Sequence, residues 1–350
     1  MQSISESVPN TTLSEPPIFI VGPGRSGTTL VRKILSAHSR ITILPETQFI
    51  EWADQRENIK RAPTDFDAFW NKYTSWIRFR YLEIDPDRCL ELINQQEHRT
   101  IRDIFTSVLI AYGEKTGKKR VGEKSPSHVQ YLHILLEWFP DARIIIMQRD
   151  PRAVIASSLG THWVKKRITP ASLRNGVFSS SRLYELLYKA KNWNNIFETI
   201  IPGWESDSRI HIVAYEDLVR NPKKEVSKIC RFIGETYEDG MLMKRESDIS
   251  DVTGEDPMAE QVKQWKQHHS NTNRPISTSS LGKWKKKLSG LEVAMVEAIC
   301  IKGMRRRAYN PSLSTGKRIA GFFLTRAHIA AEKIERITRH TFRKIRRFIS

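Results

Sequence analysis

A glycine-rich turn carries the first chemistry in the chain. Gly22-Pro23-Gly24-Arg25-Ser26-Gly27-Thr28-Thr29-Leu30 follows a short apolar run, and a helical pattern starts at Thr28. Glycines let the backbone turn tightly and bring its N–H groups close to an anion. A helix start adds unpaired N–H donors and the positive end of the dipole. Ser26, Thr28 and Thr29 add hydroxyls, and Arg25 adds a cation inside the loop. A second junction has the same logic. Gln148-Arg149-Asp150-Pro151-Arg152 follows the apolar run Arg143–Met147. Asp150 suits a helix N-cap and Pro151 the first helical position. Arg149 then stands at the carboxyl end of a strand, where open α/β sheets bind ligands. Ser157 lies about two turns into the helix that follows. Alone, this junction reads as an Arg–Asp cap with a helical Ser; beside the first loop it reads as a second anion site.

Such junctions need strands to feed them and helices to receive them. The strands expected are Pro17–Val21, Ile41–Leu44, Lys119–Gly122, Arg143–Met147 and Arg209–Tyr215. The helices expected between them are Thr28–Ala37, Ile101–Thr116, His128–Trp138, Arg152–Leu159 and Ser172–Thr199, with Pro222–Ile233 and Gly290–Arg305 outside. Thr100, three residues before Asp103, suits the N-cap of the second helix. Continuous apolar strands separated by helices predict an α/β fold, a single P-loop-like domain whose mostly parallel central sheet is flanked by helices. The organisation expected is a polar leader over 1–16, the domain over 17–310 and a basic amphipathic C-terminal helix over 311–350. The stretch Glu51–Arg99 mixes Trp52, Trp70, Trp76, Phe66, Phe69, Phe79 and Tyr81 with charges and sits as an insertion. It reads either as a helical cap with aromatic core contacts or as an acceptor-binding lid. Asp248–Thr278 is polar and reads as a long loop.

The 350 residues suffice for a core without disulfide or metal staples. A hydrophobic fraction of 39% and nine Trp exclude a disordered chain. No apolar run approaches the ~18–20 residues that span a bilayer. Cys89, Cys230 and Cys300 are far apart and odd in number, which excludes a disulfide framework and gives no metal spacing. A reducing cytoplasm fits. The 57 Lys+Arg against 39 Asp+Glu give a net charge of +18, which calls for an anionic partner. The segment 317–350 alone holds +8, from ten Lys/Arg and two Glu. In it Ile319, Phe323, Ala327, Ala330, Ile334, Ile337, Ile345 and Phe348 recur at helical spacing. That pattern fits an anionic membrane surface, a partner-helix interaction or packing on the body.

The spacing of Gly22 and Gly27 matches a nucleoside-triphosphate P-loop, but Thr28 stands where such a loop has its Lys. The two junctions together resemble those of sulfotransferases that use 3′-phosphoadenosine-5′-phosphosulfate (PAPS), in their tyrosylprotein, carbohydrate and bacterial branches. Gly24, Arg25, Ser26, Gly27, Thr28 and Thr29 are similar to the 5′-phosphosulfate loop, and Arg149 through Ser157 to the 3′-phosphate motif. Tyr215-Glu216-Asp217-Leu218 with Asn221-Pro222, and Leu281-Gly282-Lys283-Trp284 less specifically, are similar to further landmarks. The resemblance implies PAPS as co-substrate, PAP as product and no metal. It adds Tyr215, Lys283 and Trp284 to the nucleotide site, and it implies in-line attack by an acceptor on sulfur. Arg25 would stabilise charge on the bridging oxygen, since Arg cannot act as an acid at neutral pH. Lys124 would be a second cation near the sulfuryl group, and Glu46 the general base that takes the acceptor's proton. His38 and His162 are rivals for that proton, although His38 also suits the end of the first helix.

The function expected is therefore metal-independent sulfuryl transfer from PAPS to a hydroxyl of a carbohydrate, lipid-linked or small-molecule acceptor. The alternative is a P-loop kinase acting on a sugar or nucleoside. No zinc-finger or RNP-like motif supports specific nucleic-acid binding. The polar leader departs from Golgi-resident relatives and favours a cytoplasmic enzyme. A tail resting on anionic lipid would hold that enzyme peripherally on the inner face of the membrane.

Overall fold

The computed structural model describes residues 13–96, 98–159, 181–243 and 275–327. Most of the leader, His162, the start of the expected Ser172–Thr199 helix, most of the Asp248–Thr278 loop and the tail from 328 lie outside the described residues.

Five strands form one sheet: β1 (Ile18–Val21), β2 (Ile41–Leu44), β3 (Arg120–Lys124), β4 (Arg143–Gln148) and β5 (Ile210–Ala214). Their order is β2-β3-β1-β4-β5, and every pairing is parallel. β1 is buried throughout, as four consecutive apolar residues require when both faces are covered. Its Ile20 lies level with Lys124 on one side and Ile145 on the other. Because all strands run the same way, their carboxyl ends make one rim, and the first loop and Pro45–Gln48 leave from it.

The third strand runs past its expected end. It runs Arg120–Lys124, two residues beyond Lys119–Gly122, and Glu123 and Lys124 are buried within it. A Glu–Lys pair looks like a strand end in sequence. It persists inside the sheet because both side chains have partners there, as described below.

The chain divides into two compact units. The first combines Met1–Gln148 with Ser206–Thr278. Besides the sheet it contains α1 (Thr28–Ser36), α2 (Phe49–Asp54), α3 (Phe66–Thr74), α4 (Ile77–Arg80), α5 (Pro86–Asn94), α6 (Ile101–Thr116) and α7 (Leu132–Trp138). Thr100 caps α6 as expected, and Asp103 completes a capping box. The expected helix from His128 starts instead as a 3-10 turn over Pro126–Tyr131, and α7 follows it. In the insertion, α2 to α4 gather their rings. Trp52 packs edge-on to Phe69 at 5.0 Å, and Phe79 meets Tyr73 at 5.1 Å. Phe49 stacks on Phe105 of α6 at 5.2 Å, which ties the insertion to the sheet's cover. These are aromatic core contacts among helices.

The second unit combines Arg149–Glu205 with Ser279–Ser350. Its described helices include α8 (Pro151–Ser158) and α9 (Ser181–Asn195), which passes into a π-turn over Ile196–Ile200. The first unit then resumes with α10 (Tyr215–Arg220), α11 (Pro222–Ile233) and α12 (Gly240–Met243). The second unit closes with α13 (Trp284–Lys287), α14 (Gly290–Arg306) and α15 over residues 315–327. Glu297 of α14 is fully buried and organises its surroundings. It accepts from Arg152 Nη1 at 2.7 Å, from Ser312 N and Oγ at 2.7 Å each, and from Leu313 N at 3.2 Å. α15 is seated on α14 through Gly321, where a Cβ would come within 2.5 Å of the Ala294 carbonyl. Cys89, Cys230 and Cys300 are all buried.

Candidate active site

The first loop is a tight cradle at the rim. Gly22 has φ +132°, and a Cβ there would lie 2.6 Å from the Met147 carbonyl oxygen. Gly27 has φ +102°, and a Cβ there would lie 2.5 Å from the Tyr215 ring. Only glycine suits either place. Gly27 is also the N-cap of α1, and no side chain caps the helix there. A helix start of this kind offers its first-turn amides to an anion, and Gly24 has open space beside it. Arg25 holds φ +72° and is half-buried. Ser26 is fully buried and its hydroxyl donates to the Pro23 carbonyl at 2.6 Å, so it closes the turn. Thr28 is buried and Thr29 half-buried.

Next to the loop stand the expected base and cation. The Gly22 amide donates to the Pro126 carbonyl at 3.2 Å, which binds the loop to the segment after β3. Lys124 ends β3, and its ammonium meets the Glu46 carboxylate at 3.0 Å. Gln48 Nε2 donates to the other Glu46 oxygen at 2.8 Å, and Arg78 Nη2 lies 3.6 Å from it. Arg78 also donates to the Glu46 carbonyl at 2.8 Å. Lys124 is buried, and burial pushes its pKa down against the pull of Glu46. The structure thus brings Glu46 and Lys124 together, and Gly27 and Tyr215 together, within one unit. His38 sits elsewhere. It precedes β2, at the amino ends of the strands and away from the rim, and its ring is engaged by the Thr236 carbonyl at 2.9 Å and the Arg40 amide at 3.0 Å.

The second junction belongs to the other unit. Asp150 caps α8 through the Arg152 amide at 2.8 Å, and Pro151 stands at its first position, as expected. Arg149 is largely buried, and its carbonyl accepts from the Trp193 indole at 2.9 Å. Ser157 is half-buried. Arg152 is wholly committed to structure: its guanidinium forks onto Asp150, bonds Glu297 and lies 4.3 Å over the Trp284 ring. Trp284 is buried against Ala153, Ala156, Leu288 and Val293, while Lys283 beside it is exposed.

Residues 16–239 match the family model described as the sulfotransferase family, well over half the chain. The chain belongs to the sulfotransferase family. It is a PAPS-dependent sulfotransferase, as the two junctions led us to expect. It is 24% identical over 302 residues to protein-tyrosine sulfotransferase A of Caenorhabditis elegans, a match that covers 85% of this chain and 68% of that protein. It is 25% identical to the omega-hydroxy-beta-dihydromenaquinone-9 sulfotransferase of Mycobacterium bovis, over 65% of each chain. The sulfotransferase domain from the curacin biosynthetic pathway superposes with a TM-score of 0.55 at 18% identity, over 85% of this chain and 99% of that one, and shares the fold.

Several residues around the sulfotransferase site escaped the sequence reading. Arg78 and Gln48 hold Glu46, yet an Arg on a short helix and a Gln in a loop carry no spacing signal. Glu123 and His128 are fully buried behind the rim, with Glu123 Oε2 3.2 Å from His128 Nδ1. Burial alone would raise the Glu123 pKa, but His128, Ser125 and Thr47 outweigh it and hold the carboxyl below its ordinary range. The signal that could have found Glu123 is its place directly before Lys124 in a strand that must be buried on both faces.

Proposed function

We propose that this sulfotransferase moves the sulfuryl group of PAPS to an acceptor hydroxyl without a metal, and that Glu46 is its general base. The observation that carries this reading is the Glu46–Lys124 contact of 3.0 Å on the rim from which the phosphate loop departs. The donor set of the first unit fits an anionic nucleotide: the first-turn amides of α1 behind the glycine loop, and Arg25 within it. Bound there, PAPS would supply a sulfuryl group on a phosphate leaving group. Glu46 takes the hydroxyl proton as the acceptor oxygen bonds to sulfur. Arg25, Lys124 and the amides of Gly27 to Thr29 hold the charge that collects on the bridging oxygen as its bond to sulfur breaks. PAP leaves with that electron pair, so the step balances without a redox partner or a metal. Tyr215 supports the reading by packing on Gly27, and Ser157, Lys283 and Trp284 remain candidates on the nucleotide side.

The acceptor class follows from a separate observation. α15 exposes Ile319, Phe322, Phe323 and Leu324 to solvent, beside Lys317, Arg318 and Arg326. An exposed apolar stripe with flanking cations suits an anionic lipid surface, and favours a lipid-borne hydroxyl as acceptor. The relatives named above act, by their names, on protein tyrosine and on a hydroxylated menaquinone. Both are hydroxyl acceptors. No described helix is long and apolar enough to cross a membrane.

The test is transfer of radiolabelled sulfate from PAPS, with EDTA present, to three probes: a long-chain prenyl alcohol in vesicles, a tyrosine peptide and a free sugar. Transfer to the alcohol supports the full reading. Transfer only to the peptide or sugar keeps the chemistry and discards the lipid acceptor. Loss of all transfer in EDTA, restored by magnesium, overturns the metal-free mechanism.

A further inference from the structure

A carboxylate sealed inside a sheet is costly, because charge leaves water only when it is paired and hydrogen-bonded. Glu123 is 0% exposed, so it touches neither acceptor nor nucleotide. Its partners show what it holds. It accepts from the Thr47 amide at 3.1 Å, from the Thr47 hydroxyl at 2.8 Å and from the Ser125 hydroxyl. Its second oxygen faces His128 Nδ1. Ser125 Oγ in turn accepts from the Gln48 amide at 2.9 Å, and His128 Nε2 accepts from the Ile50 amide at 3.3 Å. That last bond assigns the ring proton to Nδ1, the side turned to Glu123.

Three amides of one short segment, those of Thr47, Gln48 and Ile50, therefore end directly or at one remove on this carboxylate. The segment needs holding. Gln48 has φ +53°, an uncommon backbone for a side chain with a Cβ. Glu46 enters this turn, and Gln48 reaches back from it to the Glu46 carboxylate. Strand register completes the arrangement: Glu123 lies level with Leu44 of β2, and the next residue, Lys124, grips Glu46 from the same strand.

We propose that Glu123 is a positioning residue of sulfuryl transfer, fixing through Thr47, Ser125 and His128 the strained turn that aims Glu46 at the acceptor. This rests on Glu46 being the general base. The titratable and charged groups facing this assembly are Glu46, Lys124, Arg78, Arg32 and the His128 ring.

The experiment compares full-length wild type, Glu123→Gln, Thr47→Val, Thr47→Ser and Glu46→Gln. Turnover of PAPS to PAP, PAP binding by calorimetry and amide exchange of residues 46–50 are measured on each. Glu123→Gln and Thr47→Val are expected to lower kcat about 100-fold, the cost of a base displaced by about an ångström, with KM for PAPS and PAP affinity unchanged. Exchange at 46–50 is expected to rise in both, and Thr47→Ser, which keeps the hydroxyl, to behave as wild type. Unchanged kcat and exchange in Glu123→Gln would overturn the proposal. So would a parallel loss of turnover and PAP binding, the mark of a general folding defect. Wild-type kcat in Glu46→Gln would instead overturn the base assignment, while loosened amides in Glu123→Gln would still report the hold on the turn.

Discussion

In the proposed reaction Glu46 takes the proton of the acceptor hydroxyl. Lys124 lies 3.0 Å and Arg78 3.6 Å from its carboxylate oxygens. Glu46→Gln is expected to cut transfer about 100- to 10,000-fold while PAP binds as before, which calorimetry beside a turnover assay checks. The loop makes the converse prediction. Gly27→Ala places a methyl against the Tyr215 ring at a left-handed φ, and should weaken PAP binding and lower stability by about 1–3 kcal/mol. A urea melt and a PAP titration would show both together; loss of either alone would separate cradle from ring. Ser26 teaches a smaller lesson. Its hydroxyl donates to the Pro23 carbonyl, so it also serves to close the turn that carries Arg25.

At the scale of elements, the strands were legible wherever apolar residues ran together. β1, β2 and β4 stood nearly where expected, because a strand covered on both faces leaves little choice of residue. β3 was expected two residues short because Glu123 and Lys124 look solvated until Thr47 and Glu46, their partners from a distant stretch of chain, are known. The same blindness hid Glu297, whose α14 helix was expected but whose burial under Arg152, Ser312 and Leu313 was not. The Glu297 pKa would be raised by burial, yet the Ser312, Leu313 and Arg152 contacts bring it below the ordinary 4.5. Its stabilisation is thus fully present above pH 4.5 and is lost as pH falls through the lower folded value. Glu297→Gln should cost about 3 kcal/mol at neutral pH and should flatten the acid limb of stability, read from urea melts between pH 3.5 and 7. An acid limb as steep as wild type's would mean that other carboxylates carry it.

For the whole molecule, charge was the broadest signal, and only part of its distribution could be read ahead. The tail's excess was visible in sequence. That Gly321 seats α15 on α14 was not, since a close backbone approach leaves no periodicity. Seating one side of the helix while Phe322 and Phe323 stay exposed means that lipid can be met without unfolding anything. Full-length protein should sediment with vesicles containing anionic lipid and release as salt rises, while a chain ending at residue 314 should remain in solution. Equal binding to neutral vesicles would argue that the cations are idle.

The three buried cysteines have a practical consequence. Burial pushes the Cys89 thiol up to about 12 and the Cys230 thiol to about 11, and lifts Cys300 as well. Thiolate, the reactive form, is then scarce at neutral pH. A chromogenic disulfide reagent should titrate no thiol in the folded enzyme and three in denaturant. The natural chain would thus be a silent background for fluorophores and spin labels. A single cysteine placed at Phe323 would be the one reactive thiol, ready to signal when α15 leaves water.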